Sequence, residues 1–264
     1  MASNSESGHA KNVTNFEDLI SVVKSFGTVY NPSKQSITVV NLEALAQNAI
    51  NSLRLVNSAL GSNSIAIAAR KEAIQPLSKL STRILNALRA SDVTKQIADS
   101  AQSLVRKIQG QRATKRLTAE QKAALEAEGI VKKEVSSSQM SFDSRIESFD
   151  KLIQFLSDIP QYAPNEIELQ VSTLTNYNST LKTVNNDARD AETELNNARI
   201  ARNEILYTAN TGLVDTATAA KMYLKSIFGA TSPKYKQVSR LAFNSIPGNK
   251  ISNEVFITDQ APVR

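Results

Sequence analysis

The chain has 264 residues and a formal net charge of +6, and 41% of its residues are hydrophobic. That apolar fraction is enough to bury a core, which excludes a wholly disordered chain. The absence of cysteine excludes disulfides and thiolate chemistry. With only 8 glycines, 7 prolines and 5% aromatic residues, the composition favours long helices packed through alanine and aliphatic side chains over a β-sandwich.

The first part of the chain predicts helices of unequal length. Residues 1–13 are rich in serine and asparagine, and we expect them to form a flexible leader that contains the only histidine, His9. A short amphipathic helix from Phe16 ends at Gly27, and a long helix follows that breaks at Pro76. Two shorter helices complete this part, one from Leu77 to Arg89 and one from an N-cap at Ser91 to Gly110.

The second part of the chain predicts the same order of helices. After a charged linker over residues 111–141, a helix is expected from Phe142 to about Asp158. Asn165, with Glu168 three residues on, predicts the N-cap of a second long helix. Apolar residues recur in it at seven-residue spacing, at Ile167, Leu174, Leu181, Ala188 and Leu195. A break at "YTAN" precedes a helix over Leu213–Phe228 and a last helix that Ser232 and Pro233 begin.

The two parts share short phrases at a nearly constant spacing, which predicts an internal duplication. "FEDLI" at Phe16–Ile20 returns as "FDKLI" at Phe149–Ile153, and "YNP" at Tyr30–Pro32 returns as "YAP" at Tyr162–Pro164. "ARKEAI" at 69–74 returns as "ARNEIL" at 201–206, 132 positions later. A weaker match of "TKQI" at 94–97 with "YKQV" at 235–238 requires about nine extra residues in the second copy.

These patterns predict an all-α fold, an elongated helical bundle built from two tandem copies of a long-helix unit. The expected boundaries are a leader over 1–13, a first copy over 14–110, a linker over 111–141, a second copy over 142–243 and a tail over 244–264. Seven-residue spacing is typical of coiled-coil-like packing, and small alanine side chains let helix backbones approach closely. We expect the two copies to pack as one bundle.

Four residues in the repeated phrase are candidates for an interface. Arg70 and Arg202 occupy the same place in the two copies, close to Glu72 and Glu204. An arginine at a packed position can lay its stem along apolar surface and pair its guanidinium with a carboxylate. The partner would be another protein or a second copy of this chain. Ordinary helix surface is the alternative interpretation.

The usual groups of catalytic chemistry are missing from the sequence. It has no cysteine and a single histidine in the expected leader, and none of the common phosphate-binding, nucleophile or zinc motifs occurs. The densest acidic cluster, "DARDAETE" at Asp187–Glu194, lacks the ExxH motif of helical di-iron proteins and is interpreted as solvated helix surface. We therefore predict a protein that is not an enzyme, with no cofactor, no metal and no small-molecule substrate.

A basic cluster provides an alternative site. It consists of Arg106, Lys107, Arg112, Lys115 and Arg116, around the helix end predicted at Gly110. Grouped cations can bind the phosphates of nucleic acid or of an anionic membrane. No aromatic residues interleave with them and no nucleic-acid-binding module is present, which favours a solvated linker instead.

A helical pore-forming protein is a further alternative. The most apolar stretch, "NSIAIAARKEAI" at residues 63–74, is too short and too charged to span a bilayer. The first residues show no secretory signal, and no stretch of about 18 apolar residues occurs anywhere. A cytoplasmic localisation is therefore expected by default.

Three stretches carry a resemblance to known sequences. "KIQGQRATK" at Lys107–Lys115, "NARIARNEILY" at Asn197–Tyr207 and the segment from Leu213 to Phe243 are similar to a family of uncharacterised helical proteins from Bacteroidota. The resemblance covers about residues 14–243. It implies a helical fold and no activity, cofactor or site residue, so the predicted function remains that of a non-enzymatic structural or protein-interaction protein capable of self-assembly.

Overall fold

The computed structural model describes residues 5–111, 127 and 141–245, and within these ranges the protein is all-α, as predicted. The α-helices in chain order are α1 (Ser5–Ser25), α2 (Val39–Ile74), α3 (Leu77–Ala90), α4 (Lys95–Gln109), α5 (Phe142–Ser157), α6 (Val171–Tyr207), α7 (Leu213–Phe228) and α8 (Pro233–Ser239). Short 3-10 turns at Gln35–Ile37 and Ile167–Leu169 precede the two long helices.

Capping residues fix several of the helix ends that the sequence predicts. The Ser232 hydroxyl accepts the main-chain N–H of Tyr235 at 3.1 Å, and Pro233 occupies the first turn of α8, where its missing N–H costs nothing. Gly110 ends α4 with a φ of 68°, a left-handed conformation in which glycine meets no Cβ penalty. The predicted breaks at Pro76 and after Tyr207 are confirmed too, because α2 ends at Ile74 and α6 at Tyr207.

The beginning of the chain differs from the prediction. Residues 5–13, expected to be a flexible leader, form the first turns of α1. Apolar and buried positions continue backwards from Phe16 through Val13 to His9, which is 6% exposed. These residues lie three or four positions apart, so they share one face of the helix.

Two other helix starts also differ. Ser91 is the C-cap of α3, and Thr94 is the N-cap of α4 in its place. Thr94 therefore corresponds to the cap Ser232, and not to Tyr235 as the weaker sequence match suggests. The long helix α6 begins at Val171 and not beside Asn165, because the 3-10 turn at Ile167–Leu169 intervenes.

The chain forms two compact units that do not follow the predicted boundaries 14–110 and 142–243. Unit 1 comprises Met1–Ala59 and Leu195–Arg264, and unit 2 comprises Leu60–Glu194. Each unit therefore contains one end of α2 and the opposite end of α6. The predicted copies divide the sequence, whereas each compact unit combines the early part of one copy with the late part of the other.

Unit 2 packs α5, from the predicted second copy, against α3 and α4, from the predicted first copy. Its largest fully buried side chains come from all three helices and from the start of α6: Leu77, Ile84, Leu88, Ile108, Phe149, Leu152, Leu156, Leu174 and Leu181. Arg145 of α5 donates from Nε to the carbonyl oxygen of Ile108 at 2.9 Å and from Nη2 to the Ser78 hydroxyl at 3.3 Å. Tyr177 of α6 donates to the carbonyl oxygen of Ala73 in α2 at 2.6 Å.

Unit 1 packs α1 and the start of α2, from the predicted first copy, against the end of α6, α7 and α8, from the predicted second copy. Its core includes Phe16, Leu19, Leu42, Leu206, Leu213, Leu224 and Val238. Lys221 of α7 donates to the carbonyl oxygen of Leu241 at 2.9 Å, and burial lowers the pKa of this lysine. The turn between α6 and α7 requires Gly212, because a Cβ there would lie 2.7 Å from the main-chain nitrogen and oxygen of Thr208.

Matching positions of the two predicted copies make the same contacts in their respective units. The Tyr30 hydroxyl donates to the carbonyl oxygen of Ile37 at 2.6 Å, and the Tyr162 hydroxyl donates to that of Leu169 at 2.9 Å. The matching phrases are also buried alike, at Phe16, Leu19 and Ile20 in α1 and at Phe149, Leu152 and Ile153 in α5.

Candidate functional site

The predicted interface residue Arg70 lies half-buried in unit 2, and an aromatic ring is its contact. Its guanidinium carbon is 4.2 Å from the ring centroid of Phe142, the first residue of α5. Glu72 is exposed and forms no ion pair with Arg70. A guanidinium over an aromatic face is attracted by the ring quadrupole, so Arg70 holds α5 against α2. The sequence suggests a carboxylate partner for Arg70, but its partner in the structure is the Phe142 ring.

The corresponding Arg202 is an interior residue of unit 1. It is 3% exposed, and its Nε and Nη2 donate to Oδ1 of Asn203 at 3.1 and 2.9 Å. Glu204 is exposed on the same helix. A side chain this buried is not accessible to an outside partner, so Arg202 contributes to the packing of unit 1, and Glu204 is the accessible member of the pair.

The basic cluster is only partly within the described residues. Arg106 and Lys107 lie in the last turn of α4, with Arg106 half-buried and Lys107 exposed, whereas Arg112, Lys115 and Arg116 lie outside the described ranges. Cations in a last turn interact favourably with the unpaired carbonyl groups of a helix C-terminus. That role accounts for Arg106 and Lys107, and binding of an anionic surface stays a prediction.

The described residues hold neither a cluster of metal-binding side chains nor a membrane-spanning helix. No group of three or more His, Asp or Glu side chains in the described part of the chain could hold a metal ion. Asp187, from the cluster at Asp187–Glu194, instead lies at the edge of a groove between α2 and α6. Within residues 5–111 and 141–245, no helix is both long and apolar enough to cross a membrane.

The single histidine takes part in a polar network inside unit 1 that the sequence did not predict. His9 Nδ1 lies 2.6 Å from the Tyr207 hydroxyl. Asn12 donates from Nδ2 to the same hydroxyl at 3.2 Å and to the carbonyl oxygen of Asn244 at 2.8 Å, while its Oδ1 accepts from Asn244 N at 3.0 Å. The network joins α1 to the end of α6 and to the chain after α8. The sequence does contain one sign of this network: His9, Val13 and Phe16 lie three or four positions apart, a spacing that places them on one face of a helix.

Burial sets the ionisation of the polar groups in the unit 2 core. It lowers the pKa of the Arg145 guanidinium, an effect that the nearby Tyr177 partly opposes, and it raises the pKa of the Tyr177 hydroxyl. Burial also raises the pKa of Tyr162 to about 12, with the Glu166 carboxylate as the second cause. Tyr162 and Tyr177 therefore keep their hydroxyl protons, which they donate to the carbonyl oxygens of Leu169 and Ala73.

An open groove in unit 2 is the accessible feature closest to the repeated phrase. This α2–α6 groove has a volume of about 350 Å³ and is lined by Ser62, Ile65, Ala66, Ala69, Val184 and Asp187. Ile65 is 73% exposed at its edge. The alanines of the predicted helix-packing stripe thus face an open groove at this place, so the arrangement is suited to binding a further helix.

Comparison of the chain with protein-family models, with curated proteins and with solved structures found no match. The resemblance to helical proteins from Bacteroidota therefore stays a prediction, and the geometry of the protein itself carries the functional argument.

Proposed function

We propose that the protein is a non-enzymatic structural or interaction protein that self-associates through the α2–α6 groove of unit 2. The observation that carries this proposal is the 73% exposure of Ile65 at a groove that Ala66, Ala69 and Val184 also line. Burying a side chain of this size contributes about 1.5–3 kcal/mol. Contiguous exposed apolar surface rimmed by polar residues is typical of interaction sites.

A second copy of the chain is the proposed partner because the surface is complementary to itself. In a twofold dimer the same patch of both copies meets, and each residue contributes twice. Ile65 of one copy would enter the groove of the other, where the small side chains of Ala66 and Ala69 leave room for it. One surface therefore supplies both the projecting side chain and the depression that receives it.

The test is the molar mass in solution, measured by light scattering after size exclusion over a range of concentrations. The expected result is a dimer for the natural chain and a monomer for Ile65→Lys. Val40→Lys is the matched control, since Val40 is 74% exposed elsewhere on α2. A natural chain that remains monomeric at high concentration, or an Ile65→Lys variant that remains dimeric, would contradict the proposal.

We also infer that the two sequence copies arose by tandem duplication. The support is the recurrence of one hydrogen bond at Tyr30 and Tyr162, and of matching buried positions in α1 and α5, at a nearly constant spacing. Two unrelated helical segments have no reason to repeat a tyrosine hydroxyl bond to the carbonyl group seven residues on. The cytoplasmic localisation expected from the sequence also stays a prediction.

A further inference from the structure

Two segments of unit 1 contain cations and no carboxylates. Residues 19–42 and 216–245 include no Asp or Glu, and together they contain seven cations: Lys24, Lys34, Lys221, Lys225, Lys234, Lys236 and Arg240. The segments lie against each other, because the ring centroids of Phe26 and Phe228 are 4.9 Å apart. The Tyr223 hydroxyl also accepts the main-chain N–H of Asn31 at 3.3 Å. The positive charge of both segments is therefore concentrated in one part of the unit.

Most of these cations have no partner inside the described protein. Lys24 pairs with Oε1 of Glu43 at 2.7 Å, and Lys221 donates to the carbonyl oxygens of Ser239 and Leu241. The others are exposed and form no ion pair within residues 5–111 and 141–245: Lys34, Lys225, Lys234, Lys236 and Arg240. Grouped cations without carboxylates create a positive potential that attracts anions.

Exposed apolar side chains lie next to these cations. Val29, which ends the 3-10 turn after Phe26, is 52% exposed, and Ile227, which precedes Phe228, is 37% exposed. The Nζ of Lys234 lies 4.9 Å from the ring centroid of Phe228 and 6.0 Å from that of Phe26. The basic surface of unit 1 is defined by Val29, Lys34, Lys225, Ile227, Lys234 and Lys236. It combines projecting aliphatic side chains with positive charge.

The matching loop of unit 2 shows that the fold does not require this combination. That loop has the same tyrosine hydrogen bond to the carbonyl group seven residues on. At the positions that match Val29 and Lys34, 132 residues later, it contains the exposed residues Gln161 and Glu166. The loop therefore forms equally with a polar and an acidic residue, so the apolar and positive residues of unit 1 call for an explanation other than folding.

We propose that the basic surface of unit 1 binds the headgroup region of a membrane that contains anionic lipids. Val29 and Ile227 would enter the interface, and the lysines would contact the anionic headgroups, since apolar burial and charge attraction together set the strength of surface binding. Lysine suits this role because its ammonium group is a compact charge and its alkyl stem can lie along apolar surface. Binding of this kind requires no membrane-spanning helix.

The aromatic rings favour a membrane over a single-stranded nucleic acid. Base stacking requires an open ring face, whereas Phe26 and Phe228 pack on each other and Lys234 lies over Phe228. Four of the five exposed cations are lysine, and not the arginine that binds phosphate through two parallel hydrogen bonds. The side chains that project beside them are aliphatic, which suits lipid better than bases.

The test is sedimentation of the full chain with vesicles of phosphatidylcholine, either alone or mixed with an equal part of phosphatidylserine. The natural chain is expected to sediment with the mixed vesicles only, and less so as salt is added. Each lysine near an anionic surface strengthens binding about fivefold, so Lys34→Gln/Lys225→Gln/Lys234→Gln is expected to weaken it about 100-fold.

The matched charge control is Lys71→Gln/Lys79→Gln/Lys95→Gln, which removes three exposed lysines from unit 2 and is expected to bind like the natural chain. For the apolar contact, Val29→Gln introduces the residue of the matching loop and is expected to weaken binding about tenfold. Its control is Leu55→Gln, a change at a side chain of α2 that is 64% exposed, with no expected effect.

Four results would overturn the proposal: no binding of the natural chain to the mixed vesicles, equal binding to phosphatidylcholine alone, unchanged binding of the unit 1 lysine variant, or an equal loss in its unit 2 control. A single-stranded oligonucleotide that binds at lower concentration than the mixed vesicles would assign the surface to nucleic acid and overturn it too. If the unit 1 lysine variant does not fold, Lys34→Glu, the residue of the matching loop, serves in its place.

Discussion

The hydroxyl groups of Tyr30 and Tyr162, 132 positions apart, make the same hydrogen bond in two different compact units. Each donates to the carbonyl oxygen that ends a 3-10 turn, at Ile37 and at Leu169, and each tyrosine is 6% exposed. The bond fixes the loop that leads into a long helix. Each loop therefore depends on its own buried tyrosine hydroxyl.

Removing either hydroxyl should destabilise the protein to a similar degree. Tyr30→Phe and Tyr162→Phe are each expected to lower the free energy of unfolding by about 1–2 kcal/mol, because a hydrogen bond is lost and a buried carbonyl group is left unpaired. Urea unfolding followed by circular dichroism measures this. Tyr235→Phe is the control, since the Tyr235 hydroxyl makes no hydrogen bond within the described residues; effects no larger than the control's would contradict the expectation.

The same tyrosines predict a loss of stability at high pH. Burial is the main cause that raises the pKa of both from the ordinary 10.0 to about 12, with Tyr223 as the second cause at Tyr30 and Glu166 at Tyr162. The unfolded chain therefore ionises first, so the stability that these hydroxyls provide is complete below pH 10 and declines as the pH rises to about 12.

Urea midpoints measured across that pH window test the sign. The natural chain should lose stability as the pH rises, and the double variant Tyr30→Phe/Tyr162→Phe should lose distinctly less. A double variant with the full pH dependence would show that other groups cause it.

Two glycine-to-alanine changes should have opposite effects. In Gly212→Ala the new Cβ would lie 2.7 Å from main-chain atoms of Thr208, so we expect a loss of about 1–3 kcal/mol in the free energy of unfolding. In Gly61→Ala the Cβ meets nothing within 4 Å, and Gly61 lies inside α2, so we expect a gain of about 0.5–1 kcal/mol. Thermal unfolding of both variants measures the difference, and equal shifts would rule out the close contact at Gly212.

The Arg70 contact with Phe142 should appear as a coupling energy. In a double-mutant cycle with Arg70→Gln and Phe142→Leu, we expect the two residues to stabilise each other by about 1 kcal/mol. Glu72→Gln, on the exposed side of the same turn, should change the free energy of unfolding little. A coupling energy near zero, measured by urea unfolding, would show that the contact between Arg70 and Phe142 does not stabilise the protein.

Local chemistry made much of the fold predictable. Helix ends set by one residue type, such as the Ser232–Pro233 pair and Gly110, agree with the structure because caps and left-handed turns depend on neighbouring atoms alone. The predicted cap at Asn165 failed, since a 3-10 turn held by the Tyr162 bond intervenes before α6.

The site was harder to predict than the helices. Arg70 has a nearby glutamate in the sequence, yet its contact is Phe142, on a helix 72 positions away. Ala87 and Tyr162 line one pocket of unit 2, and only the packing of α3 on the turn at Ile167–Leu169 brings these distant parts of the sequence together. Spacing within a helix carries no information about which distant segment will cover it.

The division of the chain between the two units also sets an order for folding during synthesis. Unit 2 is one continuous stretch, Leu60–Glu194, and can close as soon as that stretch has left the ribosome. Unit 1 has to wait for Val238 of α8, while its own first segment ends at Ala59. At about 5–20 residues per second, the intervening synthesis takes about 10–40 s. During that interval the apolar face of α1, with Phe16 and Leu19, has no native partner from α7 or α8 and must rely on chaperones or on the start of α2 for cover.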